Sequence, residues 1–202
     1  MKCYSYVVRR DYGFAPNPFG KHCTLATCKP YIRNLAKVGD WVVGTGSAEY
    51  KMKNKLIYAM RVNEKLHFNE YWAEERFFHK KPILNGSLKQ MYGDNIYHYD
   101  IKNEMWIQEN SHHSNPDGSI NIYNRDRDLK SEYVLISQEF WYFGKNAVDI
   151  PDKYISICKS GPGYKSNIDE QLILEFVNWV QSNYEKGYRG NPNSFNTFNR
   201  YN

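Results

Sequence analysis

Arg9, Arg10, Asp11, Asn17, Thr24, Lys29, Arg33 and Asp40 fall between apolar segments near the start of this chain. Arg makes bidentate contacts to phosphate or carboxylate, and Lys supplies a point charge. The intervening Pro16-Asn17-Pro18 turn can aim backbone amides at an anion. Arg9, Arg10, Lys29 and Arg33 are therefore read as phosphate-binding candidates. A second group runs from Gly93-Asp94-Asn95-Ile96-Tyr97-His98 through Asp100 and Trp106 to Ser111-His112-His113-Ser114. Histidine titrates near neutral pH and serves as a general acid or base when a carboxylate orients it. This makes Asp11, Asp94 and His98 the candidate proton-transfer residues. Trp41, Tyr97 and Trp106 offer flat faces for stacking on a base. A third group, Phe140-Trp141-Tyr142-Phe143-Gly144, alternates rings on both faces of a strand. Its plain interpretation is a doubly buried strand. For His112 and His113, in a stretch rich in Ser, Asn, Pro and Gly, it is an exposed loop.

Metal signals are weak. Cys23 and Cys28 are five apart beside His22, with no second cysteine pair to complete a zinc site, and His98 with His112 lacks helical ligand spacing. The expectation is no metal, and no cofactor is assigned. GxGxxG, P-loop, GxSxG, HExxH and the deaminase pattern are all absent, which excludes the common nucleotide-binding and hydrolase fingerprints.

These residues need a scaffold, and 202 residues suffice for one domain with a sizeable core. Hydrophobic residues at 41% and charged residues at 24% argue against wholesale disorder. Aromatics make up 16%, with 18 Tyr, although mean hydropathy is only -0.76. Rings must therefore stand in for aliphatic core, line a pocket, or both. Net charge is +5, but residues 1–66 hold 12 basic against 4 acidic residues, and the remainder 15 against 18. The basic front third suits a phosphate-bearing partner. No apolar run is long enough to span a bilayer and the opening residues are too polar for an export signal, so the expected location is the cytoplasm, with four unpaired cysteines.

Strands are expected at Lys2 to Arg10, Asp40 to Ser47, Lys55 to Val62, Ile96 to Tyr99, Met105 to Gln108, Ile120 to Tyr123 and Tyr133 to Phe143. Short helices are expected from Pro30 and over Phe68 to Phe77. Residues 168–186 carry Leu172, Ile173, Phe176, Val177, Val180 and Tyr184 on one face of an amphipathic helix. The expected organisation is a single domain over 1–187 and a flexible Asn-rich tail over 188–202.

Tyr6 to Pro18, Cys23-Thr24-Leu25-Ala26, Cys28-Lys29-Pro30, Ile32-Arg33 and Gly39-Asp40-Trp41-Val42 together resemble the Nmad group of nucleotide-modification-associated domains. Gly93 to His98 and Phe140 to Gly144 add to the resemblance, which covers most of residues 3–165. It implies a protein of DNA-hypermodification neighbourhoods in phages or bacteria, with a nucleotide, or DNA carrying modified bases, as partner. No catalytic residues follow from it. The Gly39-Asp40-Trp41-Val42-Val43 strand, the returning strand and Phe77 to Pro82 are also similar to PUA-like domains of the EVE, ASCH and YTH kind. That similarity implies an α+β fold built on a mixed β-barrel with short flanking helices. The expected function is action on, or recognition of, a modified base or nucleotide, with enzymatic action favoured. The alternatives are a non-catalytic reader and a phage structural protein.

Overall fold

The structure is a computed structural model that describes residues 1–200. Its largest sheet is built around β1 (Cys3–Val8), which pairs in parallel with β3 (Trp41–Gly46); β3 turns back into antiparallel β4 (Lys55–Arg61). A second, smaller sheet holds β2 (Cys23–Leu25) and β5 (Glu64–His67), both antiparallel to β8 (Tyr133–Ser137). The chain then crosses back, since β9 (Glu139–Tyr142) joins the first sheet against β4. A separate hairpin pairs β6 (Tyr97–Asp100) with β7 (Met105–Gln108). Short edge strands β10 (Val148–Asp149), β11 (Tyr164–Lys165) and β12 (Gly187–Tyr188) extend the large sheet along β4, β1 and β9. The helices are α1 (Pro30–Leu35), α2 (Phe68–Ala73), α3 (Leu88–Met91), α4 (Ile122–Asp128) and α5 (Glu170–Asn183).

The α+β expectation holds, but none of these sheets closes into a barrel among the described residues. The large sheet ends in open edges at β11 and β12, because β8 and β9, adjacent in sequence, pair into different sheets. One expected strand is also replaced. Residues 120–121 lead into α4, which opens at Ile122, and the Asn121 side chain caps it by accepting from the Asn124 amide. Ile122 and Tyr123, the residues that mimicked a strand, are exposed.

Three apolar clusters hold the elements together. One lies between β1, β4 and β8, where Gly44 leaves room for the Tyr58 ring and the Tyr6 and Tyr58 hydroxyls meet at 2.9 Å. A second lies under α5, which buries Ile173, Phe176, Val177 and Val180 against Trp41, Val43, Leu56 and Trp141. Asp169 caps this helix by accepting from the Leu172 amide. A third is mainly aromatic, with Phe14, Phe68, Tyr71, Phe77, Tyr92 and Tyr97 joined by Ala26, Ile96, Val134 and Ile136. The aromatic excess in the composition is thus largely core.

Beyond α5, β12 pairs with β9, the Ser194 amide donates to the Asp11 carbonyl at 2.7 Å, and Phe195 and Phe198 pack on Tyr92. The last two residues of the segment expected to be a tail, 201–202, lie outside the described residues. Among the described residues, no helix is long and apolar enough to cross a membrane.

Phe176→Ala removes a fully buried ring from the α5 cluster and is expected to cost about 3–5 kcal/mol in denaturant unfolding. Leu174→Ala, on the exposed face two residues away, is expected to stay within about 0.5 kcal/mol.

Candidate active site

β1 delivers Arg9 and Arg10 from its end, and the following loop brings Tyr12, Phe14 and Ala15 to one wall of a cavity of about 280 Å³. Cys28 and Lys29 at the start of α1, the His112-His113 loop and Arg127 at the end of α4 complete the lining. The lining carries four basic side chains, Arg9, Arg10, Lys29 and Arg127, and no carboxylate.

Cys28 faces His113, with Sγ 3.7 Å from Nε2. The other ring nitrogen, Nδ1, donates to Asp128 Oδ2 at 2.7 Å. The histidine and the aspartate are fully buried. Asp128 accepts three further hydrogen bonds, from the Tyr97 hydroxyl, the Arg127 Nε and the Cys28 backbone amide. An ionised carboxylate can only accept, so this set fixes the proton of His113 on Nδ1 and turns Nε2 to the sulfur. Arg127 Nη2 stands 3.9 Å from Sγ and 3.4 Å from both ring nitrogens of His113.

The backbone at this point is held out of its preferred regions. Cys28 and Lys29 are consecutive non-glycine residues at φ 55° and 42°. Each such left-handed residue costs roughly 1–2 kcal/mol. The compensation is local: Asp128 takes the Cys28 amide, and Arg33 Nε donates to the Cys28 carbonyl at 2.8 Å. Pro30 then starts α1 in its favoured position.

Burial alone would raise the Cys28 pKa, but the charge and hydrogen bond of His113, with Arg127, bring it below the ordinary thiol value in spite of Asp128. His113 moves the other way. Burial lowers it, but Asp128 and Cys28 raise it to about 9. Burial would raise Asp128, yet His113, Arg127 and Arg33 hold it well below the usual carboxylate range. The three groups thus favour a thiolate–imidazolium pair anchored by a carboxylate, the arrangement that activates cysteine nucleophiles. They also lie within 4.8 Å of one another, as compact as a metal-ligand set. The four hydrogen bonds that occupy Asp128 and the pairing of Nδ1 with it suit a proton relay instead.

Aromatic groups wall this centre. His112 packs 4.8 Å from Tyr12 and 5.0 Å from Phe14, and Tyr12 stacks on Tyr92 at 5.3 Å. His112 donates from Nδ1 to the Asn199 carbonyl, and burial together with the neighbouring His113 charge pushes its pKa down to about 3. It is a neutral wall residue. The exposed loop expected for His112 and His113 is therefore replaced by a buried one, because Phe14, Tyr12 and Tyr92 cover it.

The residues singled out from sequence fall in several places. Arg9, Arg10 and Lys29 line the cavity together. Lys29 also sits 4.6 Å over the Tyr6 ring, and burial lowers its pKa. Arg33 is fully buried and donates to the carbonyls of Cys28, Asp128, Ser131 and Tyr133. Tyr97 supports the relay through its hydroxyl. Asp11 is buried beneath the Tyr142 hydroxyl, and burial raises its pKa to about 6. Asp94 accepts from Thr24 and Tyr71 and faces the buried ammonium of Lys80. His98 stacks on Trp72 at 4.2 Å and pairs with Glu109. Trp41 stacks on Trp141 in the α5 cluster, and Trp106 packs on Phe68 and Tyr99. None of Asp11, Asp94, His98, Trp41 and Trp106 lines the cavity. The relay of Cys28, His113 and Asp128 went unrecognised in the sequence. Its only local signal is a cysteine set directly before Lys29-Pro30 at a helix start.

The fold and this centre define an α+β protein in which a cysteine, backed by a buried histidine and aspartate, lines a basic, aromatic pocket. The sequence matches the family described as nucleotide modification associated domain 2 over residues 1–199, and the chain belongs to that family. No curated protein and no solved structure matches it.

Iodoacetamide should alkylate Cys28 at about pH 7.5 faster than an ordinary thiol, with the rate rising through a midpoint below 9. His113→Gln removes the lowering charge and leaves the burial, so the Cys28 midpoint should rise and the alkylation rate near neutral pH should fall about tenfold or more. Peptide-resolved mass spectrometry across a pH series reads both.

Proposed function

We propose that the chain is a cysteine-dependent enzyme of nucleotide modification. In this reading Cys28 forms a covalent intermediate, His113 moves the proton, and Asp128 fixes the imidazole. The observation that carries it is that Cys28 and His113, with Asp128 behind them, line a cavity whose other side chains are mostly cationic and aromatic. A nucleotide suits that lining on both counts. Its phosphate complements Arg9, Arg10, Lys29 and Arg127, and its base complements the faces of Tyr12, Phe14 and His112. The family supports nucleotide modification as the setting. Modified bases of DNA are the finer expectation, and the cavity volume favours one nucleotide unit at a time, free or turned out of a strand. Arg33 is assigned a supporting role and Asp11, Asp94 and His98 structural ones.

A second reading, a non-catalytic reader of a modified base, draws on the Tyr12–Tyr92 stack and the His112 face. The two separate on turnover. With the purified chain, a panel of nucleoside monophosphates and of DNA carrying modified bases, the enzyme reading expects product or a Cys28 adduct by mass spectrometry. Cys28→Ala should abolish both and Cys28→Ser should lower the rate at least about a hundredfold, while Asp11→Asn and His98→Gln retain activity if they fold. Binding without turnover, unaffected by Cys28→Ala and lost with Tyr12→Ala, would favour the reader. Loss of activity on His98→Gln with Cys28→Ala active would overturn the assignment.

A further inference from the structure

The position of the proton donor relative to the sulfur restricts which reaction a thiol can run here. His113 Nε2 is 3.7 Å from Cys28 Sγ, and its ring cannot turn, because Nδ1 is held by a buried carboxylate and the residue has no exposed surface. Asn124 and Gln108 both donate to its backbone carbonyl, which fixes the loop as well. The proton is therefore delivered close to the atom that the sulfur attacks, and nowhere else.

Three kinds of carbon can accept a thiolate. In displacement at a saturated carbon the leaving group departs on the face opposite the sulfur, out of reach of a donor beside it. In conjugate addition the π pair moves to the neighbouring carbon and on to an oxygen or nitrogen three bonds from the carbon attacked; that heteroatom, which carries most of the charge, lies away from Nε2, and the carbon is slow to take a proton. In addition to a trigonal carbon that bears a nitrogen or oxygen leaving group, sulfur and leaving group share one carbon and stand next to each other. Only this last case places a developing amine or alkoxide where Nε2–H can protonate it.

We infer, on the basis of the function proposed above, that the site catalyses substitution at a trigonal carbon bearing an amine or alcohol leaving group, as in an acylated base or a ring carbon with an exocyclic amine. The Sγ lone pair forms the C–S bond and the π pair moves onto the carbonyl oxygen or ring nitrogen. When that pair returns, the bond from carbon to the leaving nitrogen or oxygen breaks, and the departing pair takes the proton of His113 Nε2. Water or an amine then attacks the same carbon, gives its proton to Nε2, and the C–S pair returns to Cys28 as thiolate. No electrons are gained or lost overall, so no oxidant or reductant is required.

The test uses the full chain and a series of acetate esters whose leaving alcohols range from strongly acidic phenols to simple alcohols, with iodoacetamide as a control that needs no leaving-group proton. Wild-type acylation of Cys28 should depend little on the leaving group. In His113→Gln, and in Asp128→Asn as a second variant that keeps the imidazole, the dependence should steepen, so that the poorest leaving groups lose about a hundredfold or more relative to the phenols. Equal dependence in wild type and in both variants, with Cys28 alkylating fast, would overturn this inference and leave the nucleophile reading intact. Slow alkylation of wild-type Cys28, no faster than Cys158, would instead sink the nucleophile reading itself.

Incubation with N4-acetyl-dCMP and with dCMP separates the two sources of such a carbon. An acetyl group left on Cys28 marks an acyl substrate. A whole nucleotide attached with loss of ammonia marks a ring carbon. A nucleotide attached with all its atoms retained marks conjugate addition and would overturn the inference.

Discussion

The guanidinium of Arg33 is the tie on which the rest of the site depends. It is buried, it donates to the carbonyls of both Cys28 and Asp128, and it reaches Ser131 and Tyr133 at the start of β8. One planar group thereby joins Cys28, the end of α4 and the small sheet. Removal of such a group strands several buried carbonyls, and a lysine cannot reproduce its fork. The cost of holding its charge away from water is visible in its pKa, which burial lowers to about 10 despite the neighbouring Asp128. That carboxylate is in turn what makes the imidazole of His113 basic. Scaffold and chemistry thus share one buried ion network, and each keeps the other's charges in place.

The same economy runs through the rest of the interior. Lys80, also buried, donates to Asn17 and the His22 carbonyl while Asp94 faces it. This second network fixes the long loop between β1 and β2, the loop that carries Tyr12 and Phe14 to the cavity wall. With so little aliphatic material available, rings fill volume and buried polar groups set direction. Hydrogen-bonded charges specify geometry even where they add little net stability.

Much of this was legible in the sequence. The strands around Val43 and Tyr58 follow from β-branched and aromatic runs ended by glycine turns, and α5 follows from its apolar stripe and Asp169 cap. The basic front of the chain suggests Arg9, Arg10, Lys29 and Arg33 as a phosphate-binding set; the fold brings the first three to one cavity and buries Arg33 behind it. The relay was hidden because its members come from three segments with no fixed spacing, Cys28, His113 and Asp128, and their meeting depends on tertiary packing. His113 looked exposed because its immediate neighbours are serines and asparagines. What buries it is Phe14, almost a hundred residues away. Residues 120–123 resemble a strand because Ile120, Ile122 and Tyr123 are strand-forming types, but the Asn121 cap turns Ile122 and Tyr123 into the first turn of α4. The barrel was lost at Gln138, where the chain passes from one sheet to the other.

The carbonyl of Asn199 fixes His112, and Arg200 donates to the carbonyl of Ser111, so the loop that walls the cavity is held from behind by residues more than 170 positions beyond Cys28. During synthesis the segments reach solution in order, and long-range contacts of this kind form late. Cys28 itself meets the groups that lower its pKa, His113 and Arg127, across 85 and 99 positions of chain, so its thiol takes on its folded character only when segments made far apart in time have packed together.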